Sequence, residues 1–102
     1  MSVLKINSNN FESLKNSKGR VLLDFYADWC GPCRMVAPVI EEIAGERADI
    51  TVGKVNVDGA PELAEAFKVY SIPTLVVLEN GREISRAVGA RSKTQLLSLV
   101  DS

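Results

Sequence analysis

A chain of 102 residues with 46% hydrophobic and 25% charged residues suits one compact globular domain, residues 1–102, and leaves no room for a second. The net charge is only -1, with Lys and Arg scattered among Asp and Glu, so neither a nucleic-acid backbone nor an acidic membrane surface is favoured as a partner. No stretch approaches the roughly 20 apolar residues of a membrane span, and Met1-Ser2-Val3-Leu4-Lys5-Ile6-Asn7 lacks the apolar core of a signal peptide, so the cytoplasm is the expected compartment.

Val3 to Ile6 reads as a short strand. Asn9 with Glu12 offers a capping box for a first helix that carries Phe11 and Leu14 inward. Val21-Leu22-Leu23-Asp24-Phe25-Tyr26-Ala27 is nearly continuously apolar, the pattern of a strand covered on both faces, and Asp24 is its one charge. Met35, Val36, Val39, Ile40, Ile43 and Ala44 then recur at helical spacing, with Glu41, Glu42, Glu46 and Arg47 on the other face. Pro38 falls inside that helix, where its ring clashes with the carbonyl of Arg34 and predicts a kink.

Ile50 to Val57 alternates apolar and polar side chains and predicts another strand, so strand, helix and strand imply a right-handed parallel crossover. Pro61 suits the first turn of a short helix with Leu63 and Phe67 facing the core, ending before Ser71-Ile72-Pro73. Thr74 to Leu78 and Glu83 to Val88 flank Asn80-Gly81, a strong hairpin signal, and predict an antiparallel pair. Ser92 with Gln95 forms a capping box before Leu96, Leu97, Leu99 and Val100, which predicts a terminal amphipathic helix.

Cys30 and Cys33 are the chain's two cysteines, separated by Gly31 and Pro32 at the junction between strand and helix. A closed zinc site wants four Cys or His ligands, and this chain has no His, so a metal would need a site shared across a dimer. Two inert thiols packed as small hydrophobes are the plainer alternative, and the helix junction argues against it. Only a thiolate attacks a disulfide, and an ordinary thiol of pKa about 8.5 is about 3% ionised at pH 7. A helix N-terminus stabilises an anion by up to about 2 kcal/mol, which at about 1.4 kcal/mol per unit lowers the pKa by roughly one unit. Cys30, at the helix start, is therefore the candidate nucleophile, and Cys33, inside the first turn, the resolving thiol. Asp24, buried within an apolar run, would have a raised pKa and could accept a proton near neutrality, with Lys54 facing it from the next strand. A strand carboxylate at an exposed edge, or one in a structural ion pair, is the competing reading.

A C-x-x-C pair near a βαβ pattern is a known mark of thioredoxin-like redox proteins, and the chain resembles that family over nearly its whole length. Phe25 to Cys33 is similar to the family's active-site strand and loop, Lys54-Val55-Asn56-Val57-Asp58 to its third strand, Ile72-Pro73-Thr74 to its proline loop, and Asn80-Gly81 with Val88-Gly89 to its closing hairpin. Tyr26 departs from the second tryptophan of many members. The resemblance implies an α/β thioredoxin fold, βαβαβ then αββα, with a central mixed sheet of about five strands flanked by about four helices.

The resemblance further implies that Asp24, with Lys54, helps deprotonate Cys33, and that the Ile72-Pro73 bond is cis and faces the dithiol, against the base rate for such bonds. It implies a substrate surface of Trp29, Gly31, Pro32, Ile72, Pro73, Thr74, Gly89 and Ala90, with the substrate backbone pairing at Ile72 as at a sheet edge. The activity implied is reduction of protein disulfides with no bound cofactor, and the balanced charge and small core suit a monomer. Electrons would come from NADPH through a flavin-containing thioredoxin reductase. An oxidase or isomerase on the same fold, or a binding module with an incidental dithiol, stays open at this point.

Overall fold

The computed structural model describes residues 2–17 and 19–102. In chain order the elements are β1 (Leu4–Lys5), α1 (Phe11–Lys15), β2 (Arg20–Tyr26), α2 (Gly31–Glu46), β3 (Thr51–Asn56), α3 (Pro61–Ala66), β4 (Thr74–Glu79), β5 (Arg82–Val88) and α4 (Lys93–Asp101). Among the described residues these make a five-stranded mixed sheet of order β1-β3-β2-β4-β5. β1 and β2 run parallel to β3, whereas β4 pairs antiparallel with β2 and β5. The parallel β2–α2–β3 crossover and the antiparallel hairpin both follow the sequence pattern.

β2 is the central strand, and its continuous apolar run feeds two cores. Leu22 packs with Val36, Ile40 and Ile43 of α2, Leu75 and Val77 of β4, and Leu96 and Val100 of α4. Leu23 and Phe25, on neighbouring β2 positions, join Leu14, Val55, Leu63, Val76 and Leu78 on the other side, where Phe11 and Phe67 pack against them. Complete burial of one such side chain stabilises the fold by about 1.5–3 kcal/mol, so β2 is anchored from both faces. This rigidity matters because β2 runs directly into the cysteine loop.

Local signals explain most of the ends. The Ser92–Gln95 capping box forms in full, with Ser92 Oγ accepting from the Gln95 amide at 3.2 Å and the Gln95 side chain accepting from the Ser92 amide at 2.9 Å. Asn80 (φ 54°) and Gly81 (φ 79°) both adopt the left-handed conformation that a tight two-residue hairpin requires.

Three expectations are corrected. The Asn9–Glu12 capping box does not form: the N-cap of α1 is Asn10, without a side-chain cap bond. Asn7 Oδ1 accepts from the amides of Asn9 and Asn10, and Asn10 Oδ1 accepts from the Asn7 amide at 2.8 Å, so short amide side chains close their own turn first. Met35 leaves the apolar stripe of α2 and is 73% exposed, because at 3.6 residues per turn it is rotated about 100° from Val36, off the face that Cys33, Val36, Ile40 and Ile43 bury. β1 is also shorter than Val3 to Ile6, although the Ile6 amide still donates to the Lys54 carbonyl at 2.9 Å.

Candidate active site

Cys30 is the N-cap of α2, in extended conformation (φ -89°, ψ 112°), and its Sγ accepts a hydrogen bond from the Cys33 amide at 3.2 Å. Pro32 sits in the first turn, where its missing N–H costs nothing. No acidic side chain occupies that turn, so no carboxylate competes with sulfur for the helix's positive end. Cys30 and Cys33 are joined as a disulfide, with their Cα atoms 5.3 Å apart. Both sulfur residues are nearly covered, Cys30 at 5% exposure and Cys33 at 2%. Exposed Gly31 and Pro32 form the rim beside them.

The Ile72-Pro73 peptide bond is cis, and the Ile72 carbonyl oxygen lies 3.8 Å from Cys30 Sγ. Gly89 (φ 95°) closes against this loop by donating its amide to the Pro73 carbonyl at 2.8 Å, a conformation that suits a residue without Cβ. Thr74 is only 1% exposed and its hydroxyl donates to the Ser71 carbonyl at 2.6 Å. Thr74 therefore shapes the loop from inside rather than offering a contact surface, and Pro73 is likewise buried, whereas Ala90 is exposed. Trp29 is 69% exposed, and its indole N–H donates to Asp58 at 2.8 Å.

Asp24 is 4% exposed, and its Oδ1 has no hydrogen-bond partner in the protein. Burial pushes its carboxyl up to about 7, against the opposing pull of Lys54, its partner in the β2–β3 register. A cavity of about 230 Å³ is lined by Asp24, Cys33, Lys54, Tyr26, Asp28 and Arg34 among others, so the buried acid and the inner cysteine border one space. The larger polar cleft of about 530 Å³ between Arg20, Arg47, Asp49 and Asp101 contains neither cysteine; its arginines are tied to carboxylates. Among the described residues no group of His, Cys, Asp and Glu could hold a metal ion, and no helix is long and apolar enough to cross a membrane.

The Thioredoxin family model matches residues 2–102. The chain belongs to the thioredoxin family. It is 50% identical over 98 residues to a thioredoxin of Mycobacterium bovis, covering 94% of this chain and 84% of that protein. A bifunctional thioredoxin reductase/thioredoxin of Mycobacterium leprae is 51% identical over 88 residues, which are 85% of this chain and 19% of that protein. A solved mutant thioredoxin from Halobacterium salinarum NRC-1 superposes with a TM-score of 0.91 at 37% identity, covering 98% of this chain and 88% of that one. With Cys30 and Cys33 at disulfide distance, the chain is a dithiol-disulfide oxidoreductase.

Two neighbours of the site escape sequence reasoning. Asp58 anchors the Trp29 indole, and Tyr70, 88% exposed, lines a small groove with Trp29 and Ile72. Asp58 stands in a turn, where a solvated carboxylate is ordinary. Tyr70 directly precedes Ser71-Ile72-Pro73, and an aromatic beside the proline loop is the one sign that could have found it.

Proposed function

We propose that the chain works as a single-domain, monomeric cytoplasmic reductant of protein disulfides, in which Cys30 attacks and Cys33 resolves. The Cys30 thiolate attacks one sulfur of the substrate disulfide. A mixed disulfide forms and the substrate's other sulfur leaves as a thiolate, which takes up a proton. Asp24 then accepts the Cys33 proton, directly or through water in the shared cavity, with Lys54 tuning its basicity. The Cys33 thiolate attacks Cys30 Sγ, and the substrate's remaining sulfur leaves and is protonated. Two electrons pass from the dithiol to the substrate, which ends as a dithiol while Cys30–Cys33 ends as a disulfide.

The observation that carries this reading is the inequality of the two sulfurs. Cys30 caps the helix and faces the Ile72 loop, whereas Cys33 shares its cavity with Asp24. Trp29, Gly31, Pro32, Ile72, Gly89 and Ala90 form the docking surface, and Pro73 and Thr74 hold its loop in shape. Re-reduction comes from NADPH through a flavin-containing thioredoxin reductase. The Mycobacterium leprae relative, which joins reductase and thioredoxin in one chain, supports that pairing. The cofactors belong to that partner and this chain carries none.

Reduction of insulin disulfides, followed with NADPH and a bacterial thioredoxin reductase, tests the reading. Steady NADPH consumption that needs both proteins is the expected result. An unreactive protein, or one whose midpoint against glutathione is strongly oxidising, would remove the reductant role. Asp24→Asn bears separately on the base. An ordinary thiol is about 3% ionised at pH 7, so full ionisation can gain at most about 30-fold; the variant should lose up to that factor at pH 7 and recover towards pH 9.

A further inference from the structure

Asp24 and Lys54 are Cα partners in a parallel register, which places both side chains on one face of the sheet. A buried acid beside a lysine would ordinarily close into an ion pair, since an uncompensated buried charge is costly. Among the described residues no ion pair joins them, and Asp24 Oδ1 has no partner at all. Lys54 Nζ lies instead over the ring of Tyr26, 5.8 Å from its centroid. Tyr26 follows Asp24 on the same strand face, one alternation on. Burial above all, then Asp28 and Asp24, pushes the Tyr26 phenol above its ordinary value, so the ring meets the ammonium as a neutral π face.

We propose that Tyr26 is a positioning residue for Lys54, whose ring holds the ammonium back from the Asp24 carboxyl and so leaves that carboxyl free to exchange a proton with Cys33. The cavities agree with this role. Tyr26, Asp28 and Lys54 line the space that contains Asp24 and Cys33, and the same three residues line a groove of about 510 Å³ that continues past Asn56 and Gly59. The Lys54–Tyr26 pair is thus the wall between the two. An ammonium parked on the wall leaves the inner cavity open, and one swung inward would occupy the part of it beside Asp24. A closed ion pair would also make Asp24 a weaker base, because a proton acceptor works best with its pKa near the working pH.

The charged and titratable groups around Asp24 are few. Lys54 comes from β3, Tyr26 from its own strand, Asp28 from the following loop, and Cys33 and Arg34 from α2. Arg34 is engaged with the Asp28 carbonyl at 2.9 Å, and β4 presents Leu75 opposite Asp24. Lys54 is therefore the cation whose movement would matter.

This inference rests on the reading of Asp24 as the base for Cys33, and its test is independent of turnover. The Asp24 carboxyl is titrated by carbon NMR in the oxidised full chain, without substrate, in Tyr26→Leu, Tyr26→Met and Tyr26→Phe, each with and without Lys54→Met. Removing the ring should let Lys54 close on Asp24 and lower its midpoint by about one unit or more, as an opposite charge within a few ångströms does. Tyr26→Phe keeps the ring and should leave the midpoint in place. With Lys54→Met present, removing the ring should have no effect. An unchanged or raised midpoint in both ringless variants overturns the proposal, and so does an equal drop with Lys54→Met present, which would indicate solvation rather than Lys54. An Asp24→Asn variant with undiminished turnover would instead remove the base while leaving the titration result standing.

Discussion

The Cys33 amide donates to Cys30 Sγ at 3.2 Å, so the inner cysteine supports the outer one through its backbone while lining the cavity that it shares with Asp24. One residue thus carries both halves of the cycle. Cys33→Ser keeps that amide and loses the sulfur that resolves. The variant should therefore still attack and then accumulate a mixed disulfide with its substrate, seen as a covalent adduct on non-reducing gels. Cys30→Ser should give no adduct. Equal trapping by the two variants would mean that the sulfurs are interchangeable.

Asp24 should weaken the fold as pH rises. Its ordinary value is 3.8 and burial raises it to about 7, so between these limits the folded state binds more protons than the unfolded state. Stability is therefore highest below the lower value and falls as pH rises through the upper one. At about 1.4 kcal/mol per unit, the loss is on the order of 4 kcal/mol. Asp24→Asn removes this titration, so its stability relative to the parent should improve by a similar amount between pH 3 and pH 9, whatever its offset at low pH. Urea unfolding at several pH values measures the difference. Parallel curves would show that Asp24 titrates normally.

Trp29 combines 69% exposure with a tether to Asp58, a combination that suits a contact surface held in one orientation. Trp29→Ala removes little buried area, so stability should stay within about 0.5 kcal/mol. KM for a protein disulfide should rise several-fold, whereas reaction with a small aromatic disulfide should change little. Asp58→Ala should show the same split more weakly, because the ring remains and only its orientation is released. Equal losses on both substrates would place Trp29 in the chemistry rather than in docking.

Much of this fold is readable from the chain because each feature needs only local information. The β2 run is apolar at nearly every position and short, the pattern of a strand covered on both faces. The Ser92–Gln95 box forms because its donors and acceptors lie within one turn. Asn9 and Glu12 satisfied the same rule and failed, since Asn7 and Asn10 bond each other more readily. Met35 has helical spacing but faces open solvent, and spacing alone does not say how wide a face of the helix the sheet covers. In the site, cysteine spacing and the lone charge of Asp24 stand out along the chain. The Lys54–Tyr26 contact and the Trp29–Asp58 bond do not, because they join separate elements through a register that only the folded sheet defines.

Gly53 offers a test of that register next to the site. A Cβ there would lie 2.8 Å from Ile6 Cγ1 and 3.2 Å from Leu23 Cδ2, between β1 and the centre of the sheet. Gly53→Ala should therefore cost about 1–3 kcal/mol, the usual range for overpacking. Ile6→Ala creates the missing space at its own cost of about 2–5 kcal/mol. Because the two side chains compete for one volume, the double variant should be less destabilised than the sum of the singles, by about 0.5 kcal/mol or more. Gly53 directly precedes Lys54, so a displaced β3 should also shift the Asp24 titration in the single variant and restore it in the double. Additive stabilities with an unmoved titration would mean that β3 absorbs the methyl group without shifting Lys54.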